Sequence, residues 1–193
     1  MAAPDRRAAF ILLAAGRSRR FGSDKLSAQL RGRPLWQWAA KAAEEAGFAD
    51  RYLVTGTDAS SLSRRGWTRV PNGRAEEGIG TSIAAGAGAA AHHGRIVIAL
   101  ADAPLIAPDH LLRLAQSEHT VFTRQADGSP GSPAAFRKQD FDALKNLEGD
   151  RGASSLTLPD ARTIEPPSYD MLADIDTPSQ LSALSRDVSG QLS

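Results

Sequence analysis

Residues 10–25, FILLAAGRSRRFGSDK, constrain this chain more than any other stretch. Phe10, Ile11, Leu12 and Leu13 form an unbroken apolar run, the pattern of a strand buried on both faces. The run passes through Ala14-Ala15-Gly16 into a loop carrying Arg17, Arg19, Arg20, Gly22 and Lys25. Small residues let backbone approach a ligand closely, and exposed N–H groups flanked by Arg and Lys are what a polyphosphate needs. A doubly buried strand must be covered by helices on both sides, so this stretch predicts an α/β domain with a phosphate loop after its first strand.

The 193-residue length fits one domain with a sizeable core, spanning 1–193 with frayed ends at 1–7 and 187–193. A formal net charge of +1 gives no whole-molecule field for nucleic acid or a membrane surface, so any positive potential is local. With no cysteine, disulfides, zinc–thiolate sites and thiol nucleophiles are excluded. The apolar run near the start is too short for a signal peptide and breaks into RSRR. No stretch approaches the roughly 20 apolar residues of a membrane span. The expectation is a cytoplasmic protein.

Taken in order, residues 34–46 (PLWQWAAKAAEEA) predict a helix that begins at proline and stops at Gly47, with Trp36 and Trp38 as packing residues. Residues 51–55 predict a second strand, completing a βαβ unit and hence a parallel sheet. Residues 58–65 read as a short helix and loop, 67–70 as an edge strand, and Pro71-Asn72-Gly73 as a turn. Residues 81–92 predict an Ala-rich helix capped near Thr81, with Gly86 and Gly88 marking close packing. The G-x-G-x-x-A pattern there follows no strand, so it is not a dinucleotide turn. His92 and His93 read as surface residues. Residues 95–101 (RIVIALA) predict a central parallel strand, 108–118 an amphipathic helix, and 120–123 another strand. A Gly/Ser/Pro loop at 125–133 precedes a short strand at 134–136. Then follow a helix over 138–147, an edge strand at 162–164, and a last helix capped by Asp176 or Thr177.

In open α/β sheets ligands bind beyond the carboxyl ends of the strands, where strand order reverses. Three features fall there: the loop at 16–25, Asp102 after RIVIALA, and the acidic pair Asp174 and Asp176. A basic glycine loop with carboxylates from distant positions suits phosphate handled with a hard divalent cation. Asp102 alone also reads as a loop acid or helix cap, and Asp176 as an N-cap. The loop matches neither G-x-x-x-x-G-K-[ST] nor G-x-G-x-x-G, which counts against a P-loop and against an NAD-dependent oxidoreductase.

The stretch L-A-A-G-x-S-x-R-F-G-x-D-K, Leu13 to Lys25, resembles the signature of the MobA/MocA-like nucleotidyltransferases. The resemblance extends through NGRAEEGIGTSIAAG at 72–86, Ala101-Asp102-Ala103-Pro104 against a G-D-M-P pattern, Gly149 to Ala153 against G-D-x-G-A, and DIDTPSQL at 174–181. It implies a three-layer α/β/α fold with a mostly parallel, Rossmann-like sheet of the nucleotide-diphospho-sugar transferase type. It also implies Mg²⁺-dependent transfer of a nucleotidyl group from an NTP to a phosphorylated acceptor, with release of pyrophosphate. By resemblance, Leu13, Ala14, Ala15, Gly16, Arg20, Lys25, Gly78, Ser82 and Asp102 bind the nucleotide. Arg20, Lys25 and Asp102 are the catalytic set, and Asp102 and Asp176 hold Mg²⁺. The sequence departs from the pattern at Ala101, Ala103 and Ser132, where the family carries Gly, Met and His. LAAG together with DIDTP is most similar to the molybdopterin cytidylyltransferase branch. That implies CTP as donor, molybdopterin as acceptor, and a molybdoenzyme or its chaperone as partner. A sugar or small-alcohol phosphate acceptor, and a non-catalytic nucleotide-binding or cofactor-chaperone protein of the same fold, are the other readings.

Overall fold

The computed structural model describes residues 8–16, 21, 24–57 and 62–186. The two ends expected to fray, 1–7 and 187–193, fall outside these, as do residues 58–61 of the short helix and loop expected at 58–65. The apolar run forms β1 (Ala8–Ala14), every residue of which is buried. Its side chains alternate between two cores. Phe10 and Leu12 enter one cluster, and Ala9, Ile11 and Leu13 enter the other. A strand that fills two cores must be central, and β1 pairs in parallel with both β4 (Arg51–Gly56) and β6 (Arg95–Leu100).

Between β1 and β4 lie β2 (Gln29–Leu30) and β3 (Arg33–Pro34), a two-stranded antiparallel pair, and then α1 (Trp36–Glu45). The helix starts two residues later than the sequence suggests because Pro34 is held in β3. Both tryptophans pack as expected. Trp36 is buried in the core, and Trp38 donates its indole N–H to the Leu30 carbonyl at 3.1 Å. After β4 come β5 (Thr68–Asn72), α2 (Ile79–Ala89) and β6. Pro71 and Asn72 therefore finish an edge strand rather than forming the turn read from the sequence, and an edge is where proline is tolerated.

The chain moves from β1 to β4 in one direction across the sheet and from β5 to β6 in the other. Crossovers of one hand then put α1 and α2 on opposite faces. Accordingly α1 packs with α3 (Pro108–Gln116) on one side, and α2 packs with α4 (Phe141–Lys145) on the other. Gly86 permits the close seat of α2. A methyl there would come within 2.7 Å of Ile11 Cγ2, whereas Gly88 faces open space, so close packing needs only one of the two glycines.

The second half departs from an all-parallel sheet. β7 (Val121–Arg124) and β8 (Pro130–Arg137) form a hairpin, and β8 inserts antiparallel between β6 and β7. The Gly/Ser/Pro stretch read as a loop through Pro133 thus gives half of its length to a strand. β6 is consequently parallel to β1 on one edge only. The Lys138–Asp140 segment is a 3-10 turn that leads into a shorter α4 than expected. β9 (Arg162–Ile164) closes the far edge as anticipated, and it pairs in parallel with β7. The sheet order is β5-β4-β1-β6-β8-β7-β9, flanked by helices on both faces, a mostly parallel three-layer α/β/α arrangement.

The chain returns in α5 (Pro178–Arg186), where the Thr177 hydroxyl accepts from Gln180 N as the cap. Here Ile175 is buried with Leu30 and Leu35, with Leu181 and Leu184 packed against them. Arg31 adds a hydrogen bond to the Leu184 carbonyl at 2.8 Å. This satellite core holds the C-terminal segment against β2 and β3 rather than against the main sheet.

His93 corrects the sequence reading, and a second histidine is buried as well. His93 is buried, not superficial, and its ring lies 3.2 Å from the Tyr52 hydroxyl. His110 on α3 is only 1% exposed and pairs through Nε2 with Thr123 Oγ1 at 2.7 Å, while that hydroxyl donates to the Pro133 carbonyl. Burial, aided by the nearby Arg113 charge, pushes His110 from 6.5 down to about 4. The folded state therefore resists a proton that the unfolded chain accepts. Its contribution is full above about pH 6.5 and is lost as pH falls through about 4, some ~3 kcal/mol in all. Urea unfolding across that range is expected to show this loss. His110→Gln, less stable at neutral pH, is expected to flatten the profile.

Candidate active site

The strand order reverses direction between β1 and β6, so a crevice opens where their carboxyl ends diverge. β1 delivers Ala15 and Gly16 to it, and β6 delivers Asp102 two residues after its end, with Ala101 N bonded to the Leu13 carbonyl at 3.0 Å. The result is a cleft of ≈ 480 Å³. It is lined by Leu13, Ala14, Ala15 and Gly16, by Lys25 and Asp102, and by Gly78 just before α2 and Ser82 on it. Asp176 closes it from the C-terminal segment. Every described residue singled out from the sequence as nucleotide- or metal-binding meets in this one space. Arg20 lies outside the described residues.

Lys25 sits at the centre. Asp24 caps the short turn at Lys25–Ser27 by accepting from Leu26 N, which turns the lysine inward. Its ammonium donates to Asp102 Oδ2 at 2.8 Å and to Asp176 Oδ1 at 3.0 Å, and its side chain is 11% exposed. Burial pulls this lysine down, but the hydrogen bonds and charges of Asp102 and Asp176 outweigh burial and leave it above its ordinary value. Three residues separated by up to 151 positions thus form one charged cluster.

The two aspartates flanking Ile175 have different surroundings. Ile175 is buried and its N–H bonds the Asp102 carbonyl at 3.0 Å, so Asp176 faces Lys25 whereas Asp174 lines a separate hollow with Met171 and Pro133. The acidic pair read from the sequence therefore lines two hollows, yet burial first and then the charges of Asp102 and Asp176 hold the Asp174 carboxyl above its ordinary value, so it stays within their field.

The helix wall is built by glycine. α2 begins after Gly78, not at Thr81, whose hydroxyl lies within hydrogen-bond distance of the carbonyls of both Arg74 and Gly78 and shares its one proton between them. Gly78 has φ of 127°, and a methyl on it would meet the Gly149 carbonyl at 2.3 Å and Asp150 Oδ1 at 2.4 Å. Gly80 N bonds that same Gly149 carbonyl at 2.8 Å. The 149–153 turn is thereby locked against the start of α2, and it brings Asp150 to the cleft wall, where Glu76 and Ile79 also stand. The sequence assigned no role to these three. The only signal was that Asp150 lies within a glycine-flanked motif. Gly78→Ala is expected to destabilise the fold by about 2–4 kcal/mol through strain and overpacking, measurable as a lower urea midpoint.

A divalent cation would find two hard carboxylate oxygens here, both now within hydrogen-bond range of one ammonium. Among the described residues no cluster of three or more His, Asp or Glu side chains could hold a metal unaided. That donor set fits an ion such as Mg²⁺, which commonly takes one or two carboxylates and completes its shell with substrate phosphates and water.

Residues 10–163 match the family model of the MobA-like NTP transferase domain. The chain belongs to this family. It is a nucleotidyltransferase. The match ends before Asp176, so the second carboxylate is contributed by a segment beyond the matched domain. The chain is 30% identical over 197 residues to the purine catabolism protein PucB of Bacillus subtilis, covering 93% of this chain and 96% of that one. Among solved structures, Rv0371c of Mycobacterium tuberculosis is 26% identical, with a TM-score of 0.76 over 93% of this chain and 98% of that one. The same mycobacterial protein has also been solved in complex with manganese. A nucleotidyl transferase from Methanothermobacter, at 22% identity, has the same fold, with a TM-score of 0.80 over 95% of this chain and 98% of its own. No helix among the described residues is long and apolar enough to cross a membrane.

Proposed function

We propose that this nucleotidyltransferase uses Mg²⁺ to transfer CMP from CTP to a phosphorylated acceptor, with molybdopterin the leading acceptor. The observation that carries the reading is the Lys25 ammonium held between Asp102 and Asp176 beside the small-residue turn of β1. An ammonium and two carboxylates converging where a glycine turn ends are the parts that phosphoryl chemistry with a metal requires. The choice of CTP and molybdopterin rests on the LAAG and DIDTP motifs.

The acceptor's phosphate oxygen attacks the α-phosphorus in line. A new P–O bond forms, the bond to the β-phosphate bridging oxygen breaks, and pyrophosphate leaves with that electron pair. The nucleophile is already anionic at neutral pH, so no general base is required. Catalysis then comes from alignment and charge neutralisation. Backbone N–H groups at 14–16 face the phosphates, and Lys25 exchanges its carboxylate partners for phosphate oxygens. Arg20 is proposed to add a second positive charge there. Asp102, fixed by its backbone bond to Ile175, and Asp176 would hold the metal, which supplies Lewis-acid neutralisation of phosphate charge when bound. The main-chain closeness of Gly78 and the Ser82 hydroxyl support contacts to the nucleoside.

Pyrophosphate release from CTP, GTP, ATP and UTP tests this, run with molybdopterin and with sugar phosphates, with and without Mg²⁺ or Mn²⁺. Metal-dependent release from CTP with molybdopterin is expected. Tight metal-dependent CTP binding with no release on any acceptor would instead make the chain a nucleotide carrier.

A further inference from the structure

A smaller hollow of ≈ 140 Å³ opens beside the cleft toward β8, and Leu13, Ile79 and Leu100 line both spaces. Leu100 precedes Asp102 by two residues and Leu13 precedes Gly16 by three, so the hollow begins next to where the phosphates would meet. Its deeper wall is Ile83, Ile98, Phe122 and Phe136, the two rings set edge-to-face at 5.4 Å. Only Ser132 and Ser154 add polar side chains to the lining among the described residues. At the shared mouth stands Ile79, 36% exposed. A lone exposed isoleucine means little by itself, but this one marks the edge of an apolar space that is continuous with a polar cleft.

We propose that this hollow receives the non-phosphate body of the acceptor, and that it selects a phosphomonoester carrying a flat, largely apolar ring next to its phosphate over a sugar phosphate. The inference rests on the nucleotidyltransferase reading of the cleft but not on the choice of molybdopterin, whose polar pterin is larger than this hollow and would leave its N–H and C=O groups unpaired there. The size fits: an apolar cavity of about 150 Å³ accommodates one benzene ring. The chemistry fits as well, since a sugar would bring several hydroxyls to a wall with two. Each hydroxyl buried without a partner weakens binding by roughly tenfold. Ser132 belongs to the selection, because its short side chain leaves open space that a larger residue at this position would fill.

The test uses benzyl phosphate and glucose 1-phosphate as probes, titrated into protein with labelled Ile and Leu methyls. Each is added alone, and again with Mg²⁺ and a non-hydrolysable CTP analogue. Benzyl phosphate is expected to bind at least tenfold more tightly than glucose 1-phosphate and to shift the Ile79, Ile83 and Ile98 methyls. Ala153→Phe, which plugs the hollow from its rim, is expected to abolish the preference while the Kd of the CTP analogue stays unchanged. Ser154→Tyr serves the same purpose if the first variant fails to fold. Equal affinity for the two probes, or a preference that survives the plug, overturns the inference. Failure of the wild-type protein to bind the CTP analogue would overturn the reading of the cleft instead, and the titrations without nucleotide still report on the hollow.

Discussion

Asp102→Ala is expected to lower metal-dependent pyrophosphate release by about 10²–10³-fold, the usual cost of removing one preorganised electrostatic group from a transition state. The side chain lies at the end of a strand whose core contacts are made by Val97 and Ala99, its ion-pair partner Lys25 keeps Asp176, and the carbonyl bond from Ile175 N belongs to the backbone. The melting temperature is therefore expected to change little. Turnover near that of the wild type in a folded variant would remove Asp102 from the reaction. Asp102→Asn keeps the shape and removes the charge, so it separates packing from electrostatics.

Lys25→Met carries the second large effect, and it acts in two directions. Turnover is expected to fall by about 10²–10³-fold, because phosphate loses its nearest described cation. Mn²⁺ binding in the absence of nucleotide is expected to tighten by tenfold or more. The ammonium now occupies hydrogen-bond range of both carboxylates, at 2.8 and 3.0 Å, and a cation entering there must displace it. On the proposed mechanism the NTP draws Lys25 away in the wild type, so nucleotide and metal are each expected to favour binding of the other, and that coupling is reciprocal. In the variant the coupling should shrink. Isothermal titration with Mn²⁺, with and without a CTP analogue, measures both quantities. Metal affinity that is unchanged or weaker in Lys25→Met would show that the lysine does not compete for this position.

Much of this was legible before any coordinates. The buried run at 10–13 could only be a central strand, because no other element hides four consecutive large apolar side chains on two faces. Asp102 followed from its place after the second such run. The hairpin was not legible. Pro130, Gly131, Ser132 and Pro133 have no alternation and poor strand propensity, yet β8 pairs with β6 on one side and β7 on the other. Tertiary pairing overrode local preference. The start of α2 was misplaced for a related reason, since Thr81 has the composition of a cap but spends its hydroxyl on the carbonyls of Arg74 and Gly78. The burial of His93 and the placing of Asp174 and Asp176 on different hollows depend on contacts across long separations, which no local pattern encodes. Asp150 and Glu76 reach the cleft through the seat of one turn against one helix, and that seat depends on the absence of a side chain at Gly78.

The satellite core around Ile175 makes the order of assembly matter. β1, β6 and Asp102 belong to the sheet, whereas Asp176 is delivered by a segment anchored on Leu30, Leu35 and α5. The sheet can form before the C-terminal segment docks, since its seven strands end at Ile164, ahead of Ile175 and α5. Until the last helix docks, the chain has the glycine turn and one acid but no partner acid. Truncation after Ala173 is expected to remove Asp176 and the satellite core while keeping every residue of both main cores in the chain.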